Sequence, residues 1–386
     1  MKSLQHYIDA LKSRGATYIN QRRGWKTYRK IVVIESDDWG SIRMPSRDTL
    51  NLLLSKGVKL NPELGYDKYD TLASNSDLEM LFDVLDSVKD KNGNPAKITF
   101  NTIMTNPNFD KIKESGYTEY YYELFIDTLK RYPNHDRSFL LWKEGMANNF
   151  MKPQFHAREH LNVQLWLRAL RESWEGARTS FEENVFCNYF NDSLDKRSRF
   201  LETYNIVENN EYGFILKSLV DGLRLFEKTF GFKSKSMIAP NYIWDEKIEE
   251  KAFKNGVKYL QGSSIRRNTM VNKNNGNKSM YGRYMGQINK YKQISLIRNC
   301  LFEPSQDKTL DAYYCLKGIE TMFKYKKPAI ICSHRLNYIG ELDYNNRNNS
   351  LKDLSFLLKT IVNKHPDVEF MFSDELGNVI NQNIGI

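Results

Sequence analysis

The chain has 386 residues, 40% of them hydrophobic and 13% aromatic, enough apolar material for one large α/β barrel or two ordinary domains. Its 57 Lys and Arg outweigh 47 Asp and Glu; the net charge of +10 favours anionic partners such as phosphates, acidic glycans, nucleic acid or a lipid surface, but selects none of them. No apolar run is long enough to cross a bilayer, and residues 1–30 carry Lys2, Lys12, Arg14, Arg22, Arg23 and Lys26 with no apolar signal core, so the expected location is the cytoplasm.

In chain order, residues 30–35 (KIVVIE) read as a buried strand running into Ser36, Asp37 and Asp38. Further strand-like runs stand at 96–104, 150–155, 236–239, 257–260, 294–297, 329–332 and 368–372, each followed by polar residues. Helical periodicity marks 161–171, 214–230 and 351–362. This alternation predicts an α/β fold, a parallel (β/α) barrel of seven or eight strands occupying 1–386 as a single domain. Residues 106–149 and 162–233 far exceed the usual connection of about 2–6 residues and are expected as helical insertions that cover or flank the barrel mouth. Residues 272–279 (NKNNGNKS) and the Asn-rich 344–350 are expected as loops. Residues 263–302 contain no Asp or Glu but hold Arg266, Arg267, Lys273, Lys278, Arg283, Lys290, Lys292 and Arg298, interleaved with Tyr281, Tyr284 and Tyr291. They read either as a solvated loop or as a groove for an anionic substrate group. Cys187, Cys300, Cys315 and Cys332 lack the spacing of a thiolate zinc site and are expected as reduced thiols.

In a parallel barrel the reactive side chains belong at the C-terminal ends of the strands. Asp37 and Asp38 stand at such an end, and so does His334 in Ser333-His334-Arg335. His156 and His160 are four residues apart, close enough for both imidazoles to reach one ion, in a chain with six histidines. With Glu159 they also fit the inverted zinc-protease pattern, in which the Glu is the base. Pro153 and Phe155, however, put His156 at a strand end, not inside a long helix. Each feature alone has a plainer reading: Asp in turns and helix caps, His as a hydrogen-bonded core residue. Together, Asp38, His156 and His160 supply the three ligands of a catalytic zinc site with one open position. The same set also suits iron, cobalt, nickel or manganese. Asp37 would take a proton from water and His334 would give one to the leaving amine.

These residues resemble the polysaccharide deacetylase family, also called NodB-homology or carbohydrate esterase 4. The family's Thr-Phe-Asp-Asp stands here as Glu35-Ser36-Asp37-Asp38, its His-(Ser/Thr)-x-x-His as His156-Ala157-Arg158-Glu159-His160, and its late Leu-x-x-His as Ile331-Cys332-Ser333-His334. Its Arg-x-Pro-Tyr-like motif is matched by Ala239-Pro240-Asn241-Tyr242. The resemblance implies Asp37 as base, Asp38, His156 and His160 as metal ligands, His334 as acid and the Tyr242 backbone N–H as donor to the oxyanion. It also implies an irregular, NodB-like barrel and release of N-acetyl or O-acetyl groups from a carbohydrate. The arginine that holds the catalytic aspartate is missing, with Arg158 or Arg43 as candidate replacements, and the acidic residue of the fourth motif is not placed. Trp39, Asn101, Asn241, Trp244, Arg335 and Asn337 lie beside strand ends and are expected to hold the sugar. The basic segment suggests an anionic or diphosphate-linked precursor and peripheral membrane association. No nucleic-acid motif accompanies the charge. Alternatives are a non-sugar amide hydrolase, a non-catalytic carbohydrate-binding barrel, or a glycosidase pairing Asp37 with Glu159 or Asp374.

Overall fold

Four consecutive apolar residues, Ile31 to Ile34, suit a strand covered on both faces, as strands of parallel sheets are. In the computed structural model they form the buried first half of β1 (Lys30–Trp39). The structure describes residues 22–60, 65–174, 176–186, 199–206, 209–271 and 278–385. The basic segment 1–21, Cys187, Lys273 and most of the loop at 272–279 lie outside the described residues.

The other strands follow in chain order: β2 (Ile98–Ile103), β3 (Thr105–Pro107), β4 (Tyr122–Leu124), β5 (Met151–Ala157), β6 (Ser236–Met237), β7 (Tyr259–Gly262), β8 (Ile265–Val271), β9 (Lys278–Gly282), β10 (Ile294–Ile297), β11 (Cys300–Leu301), β12 (Ala329–His334) and β13 (Val368–Phe370). The main sheet runs β10-β7-β6-β5-β2-β1-β12-β11, every pairing parallel, and β13 adds to the first residues of β1. β10 and β11 are separated only by Arg298 and Asn299. Both ends of the sheet therefore lie on one stretch of chain, residues 294–301, which pairs β7 through its first half and β12 through its second. The sheet curls into the parallel barrel expected from the alternation, irregular and with an eight-strand path.

The two long connections are largely helical. The first holds helices Phe109–Glu114 and Ser138–Ala147 and the antiparallel hairpin β3–β4. The second holds helices Val163–Arg171, Ala177–Glu182 and Tyr212–Phe230. The last of these lies directly on the end of β5: a Cβ added at Gly222 would stand 2.8 Å from both Arg158 Cβ and Phe155 Cζ. That close approach braces the strand end that carries His156.

Two expectations are corrected. The Asn-rich 344–350 is the start of helix Tyr344–Lys364, because the Asp343 side chain caps it by accepting from Asn345 N–H. The basic segment forms the antiparallel hairpin β8–β9 together with β10 and β11, and its described arginines are taken up by the protein itself. Arg266 pairs with Glu249 at 3.1 Å, Arg267 donates to the Asn241 carbonyl at 2.7 Å, and Arg283 donates to the Leu260 carbonyl at 2.7 Å. Among the described residues no helix is long and apolar enough to cross a membrane.

Candidate metal centre and active site

Adjacent residues of a strand point to opposite faces, so Asp37 and Asp38 cannot both face one site from a regular β1. The strand solves this with an irregularity. Its register with β2 shifts between Ser36 and Trp39, and Asp38 takes φ 73°, a left-handed conformation rare outside glycine. β5 does the same at its end: Thr102 pairs with Phe155 and Ile103 with Ala157, which leaves His156 outside the ladder. His160 follows in the loop before helix Val163–Arg171, so the pair is set by a strand-end turn and not by a helical face.

Asp38, His156 and His160 meet there, all buried. Asp38 Oδ1 lies 3.5 Å from His156 Nε2 and 3.4 Å from His160 Nε2. The His156 Nδ1 position is within 2.8 Å of the Ile238 carbonyl, which accepts only if Nδ1 carries the proton, so Nε2 is the ring nitrogen that faces Asp38. Burial drives His160 down to about 3, against the pull of Asp38, so it is neutral. Asp38 Oδ1 is buried without a hydrogen-bond partner. Two imidazole nitrogens converging on a carboxylate oxygen that lacks a hydrogen-bond partner are a donor set that fits a divalent metal. Burial works against the charge on Asp38, but Arg43, 3.1 Å away, together with His160, His156 and His334, outweighs it and holds the carboxyl well below its ordinary range.

Asp37 stands opposite His334 across the β1–β12 pairing. Burial alone would raise its pKa; Arg298 reverses this and brings it to about 2. Arg298 clamps Asp37 with both terminal nitrogens, at 2.6 and 2.8 Å, while its Nε donates to Glu35 at 2.6 Å. Asn101 donates to the same carboxylate at 2.7 Å. Arg298 thus does for Asp37 what was expected of Arg158 or Arg43. The candidate replacements are engaged elsewhere: Arg158 with Glu159 and Asp221, Arg43 with Asp38 and Asp70. Glu35 is the second anchor of the arginine.

His334 Nδ1 lies 2.5 Å from Glu303 Oε1, and its Nε2 faces Asp37 Oδ2 at 3.8 Å. Burial disfavours its charge, yet Glu303 outweighs burial and lifts the imidazole to about 9. Asn337 donates to the other Glu303 oxygen at 2.8 Å. Glu303, which no sequence pattern pointed to, thus holds and charges His334. It was missed because it follows the two-residue strand β11, too short for a periodicity signal.

Several sequence expectations change. The Tyr242 backbone N–H is bonded to the Ala239 carbonyl at 3.0 Å, and the Tyr242 hydroxyl lies beside Arg298 Nη1 and Cys332 Sγ, so the oxyanion-donor assignment has no free N–H to rest on. Trp39 is 1% exposed, bonded to Ser36 and stacked on Phe100; Trp244 is 2% exposed and bonded to Glu249. Arg335 is fully buried on Asp70 and the Ser41 carbonyl. These three are sealed from any sugar. Asn101 and Asn337 hold Asp37 and Glu303, and Asn241 ties its loop to the Leu201 carbonyl at 3.0 Å. The carboxylates of the glycosidase alternative are committed elsewhere, Glu159 to Arg158 and Asp374 to Lys152.

Fold and site together define an irregular parallel barrel with an Asp-His-His candidate metal centre at the C-terminal ends of its strands. No family model and no curated protein sequence matches the chain. Among solved structures it is similar to the peptidoglycan deacetylase PdaC from Bacillus subtilis, at 10% identity over 92% of this chain and 93% of that one, TM-score 0.36. It is also similar to the Puue allantoinase, at 9% identity over 93% and 92%, TM-score 0.41. A third match is 4-alpha-glucanotransferase from Thermococcus litoralis, at 8% identity and TM-score 0.40; the chain is covered over 90% of its length but spans only 40% of that protein.

Proposed function

We propose that the protein is a metal-dependent hydrolase that removes N-acetyl or O-acetyl groups from a carbohydrate. The observation that carries this reading is the meeting of three elements at one barrel mouth: the Asp38-His156-His160 triad, a clamped carboxylate at Asp37 and an imidazole at His334 bonded to Glu303. A divalent cation held by the triad, zinc first among candidates, would polarise the acyl carbonyl and acidify water. Asp37, kept ionised and oriented by Arg298 and Asn101, accepts the proton of the attacking water. His334, charged through its bond to Glu303, gives a proton to the departing nitrogen or oxygen. The two groups carry opposite protonation at neutral pH, as an acid–base pair requires. The carbohydrate class comes from the ordered resemblance of Asp37-Asp38, His156/His160 and His334 to the polysaccharide deacetylase motifs.

The test is metal analysis of the purified protein followed by acetate release from N-acetylated oligosaccharides and O-acetylated sugars. About one zinc-type ion per chain is expected, together with acetate release that Asp37→Asn and His334→Ala abolish while the metal stays. Failure of the wild type to bind metal, or metal binding with no acetate from any of these sugars, would sink the reading.

A further inference from the structure

Helix Gly65–Tyr69 brings one more side chain to the barrel mouth, at Tyr66. Gly65 packs so tightly that an added Cβ would stand 2.4 Å from the Ser305 carbonyl oxygen and 3.0 Å from Leu336 Cδ1. Ser305 lies two positions beyond Glu303 and Leu336 two beyond His334, so this contact seats the helix directly over the acid side of the site. The half-buried Tyr66 ring meets the His334 ring edge-on, centroids 5.3 Å apart and planes at 87°. On its other side the Arg43 guanidinium carbon is 5.9 Å from the ring centre, and Arg43 is the partner of Asp38. The ring therefore spans from the proton donor to the metal-ligand side. Among the described residues its hydroxyl has no hydrogen-bond partner. Meanwhile the Tyr242 N–H is consumed by its own turn.

We propose that Tyr66 is a substrate-contacting catalytic residue whose hydroxyl donates a hydrogen bond to the acyl carbonyl oxygen as that oxygen gains negative charge. The assignment rests on the deacylase reading above for its substrate. It replaces the backbone donor that Tyr242 does not provide. The phenol remains protonated throughout; no bond to it forms or breaks, and its proton is shared with the oxyanion and then with the carboxylate product. A donor aimed at developing charge acts on turnover more than on ground-state binding.

The experiment compares wild type, Tyr66→Phe and Tyr66→Ala, all loaded with zinc and with zinc content measured in each sample. Two readouts are taken: acetate release from N-acetylated oligosaccharides, and calorimetric binding of sodium acetate, whose carboxylate presents the same oxygen as the product. Tyr66→Phe keeps the ring packing on His334 and Arg43 and loses only the hydroxyl. Its expected effect is a fall in kcat of about 10²-fold, as for loss of one oxyanion donor, with KM and zinc content little changed. Acetate affinity is expected to fall about tenfold. Unchanged kcat and acetate affinity in Tyr66→Phe overturn the proposal, and so does a wild type that binds zinc but no acetate. If acetate binds through Tyr66 while no sugar releases acetate, the deacylase reading fails and the carbonyl-contact assignment stands.

Discussion

Arg298 pairs with two buried carboxylates through one guanidinium, and removing it leaves Glu35 and Asp37 buried without that cation. Breaking a buried pair by deleting one partner typically costs about 3–5 kcal/mol. Arg298→Met is therefore expected to lower the unfolding midpoint in denaturant as well as to abolish turnover. Arg298→Lys keeps the charge but cannot grip Asp37 with two parallel N–H groups, so its loss of kcat should exceed its loss of stability. In the proposed mechanism Glu303 governs the other half of the chemistry. Its carboxylate lifts His334 to about 9, so the imidazole stays protonated through neutral pH and turnover should fall as pH rises through that value. Glu303→Gln removes the charge that raises the imidazole, and the alkaline limb of the kcat profile is expected to move to lower pH. An unmoved limb would show that His334 is not the acid.

At the scale of elements, two bulged strand ends turn ordinary strands into a ligand set. Regular alternation would have sent Asp37 and Asp38 to opposite faces; the left-handed backbone at Asp38 brings both carboxylates to the mouth. Tryptophans that flank the chemistry in sequence serve packing instead. Trp39 stacks on Phe100 at 3.5 Å between ring centres and meets Trp142 edge-on, within the core beneath the site. Trp39→Ala is expected to cost about 3–5 kcal/mol of stability, measured by urea unfolding, with KM for the sugar unchanged in the folded fraction. A selective rise in KM would return Trp39 to the substrate. The helix starting at Tyr344 depends on its Asp343 cap, and Asp343→Ala should cost about 1 kcal/mol.

For the whole molecule, a metal held by Asp38, His156 and His160 would be thermodynamically linked to the fold. A ligand that binds only the folded chain stabilises it by about 2.7 kcal/mol at a hundredfold excess over its dissociation constant. Adding zinc to chelator-treated protein should raise the unfolding temperature, and Asp38→Ala should remove that rise. A zinc-dependent shift that survives Asp38→Ala would place the ion elsewhere. The barrel itself closes through residues 294–301, so Arg298 sits at the seam where the two sheet ends meet. The site is thus assembled where the two ends of the sheet share one stretch of chain.

The alternation of apolar runs and helical periodicities determined the barrel, because each strand needs its own buried run and each helix its own apolar stripe. The side chains that meet at the mouth, Asp37, Asp38, His156, His160 and His334, were legible as candidates for the same reason: polar residues that break a buried run mark where a strand emerges. The sequence alone could not reveal their partners. Arg298 lies 261 positions from Asp37, Asn101 lies 64 from it, and no local pattern encodes a contact made by curling a sheet onto itself. Tertiary structure likewise decided which polar residues near strand ends were free. Arg335, Trp39 and Trp244 look like sugar contacts until burial commits them to the core, whereas Tyr66, on a five-residue helix with no periodicity to betray it, is delivered to the mouth by packing against Ser305 and Leu336.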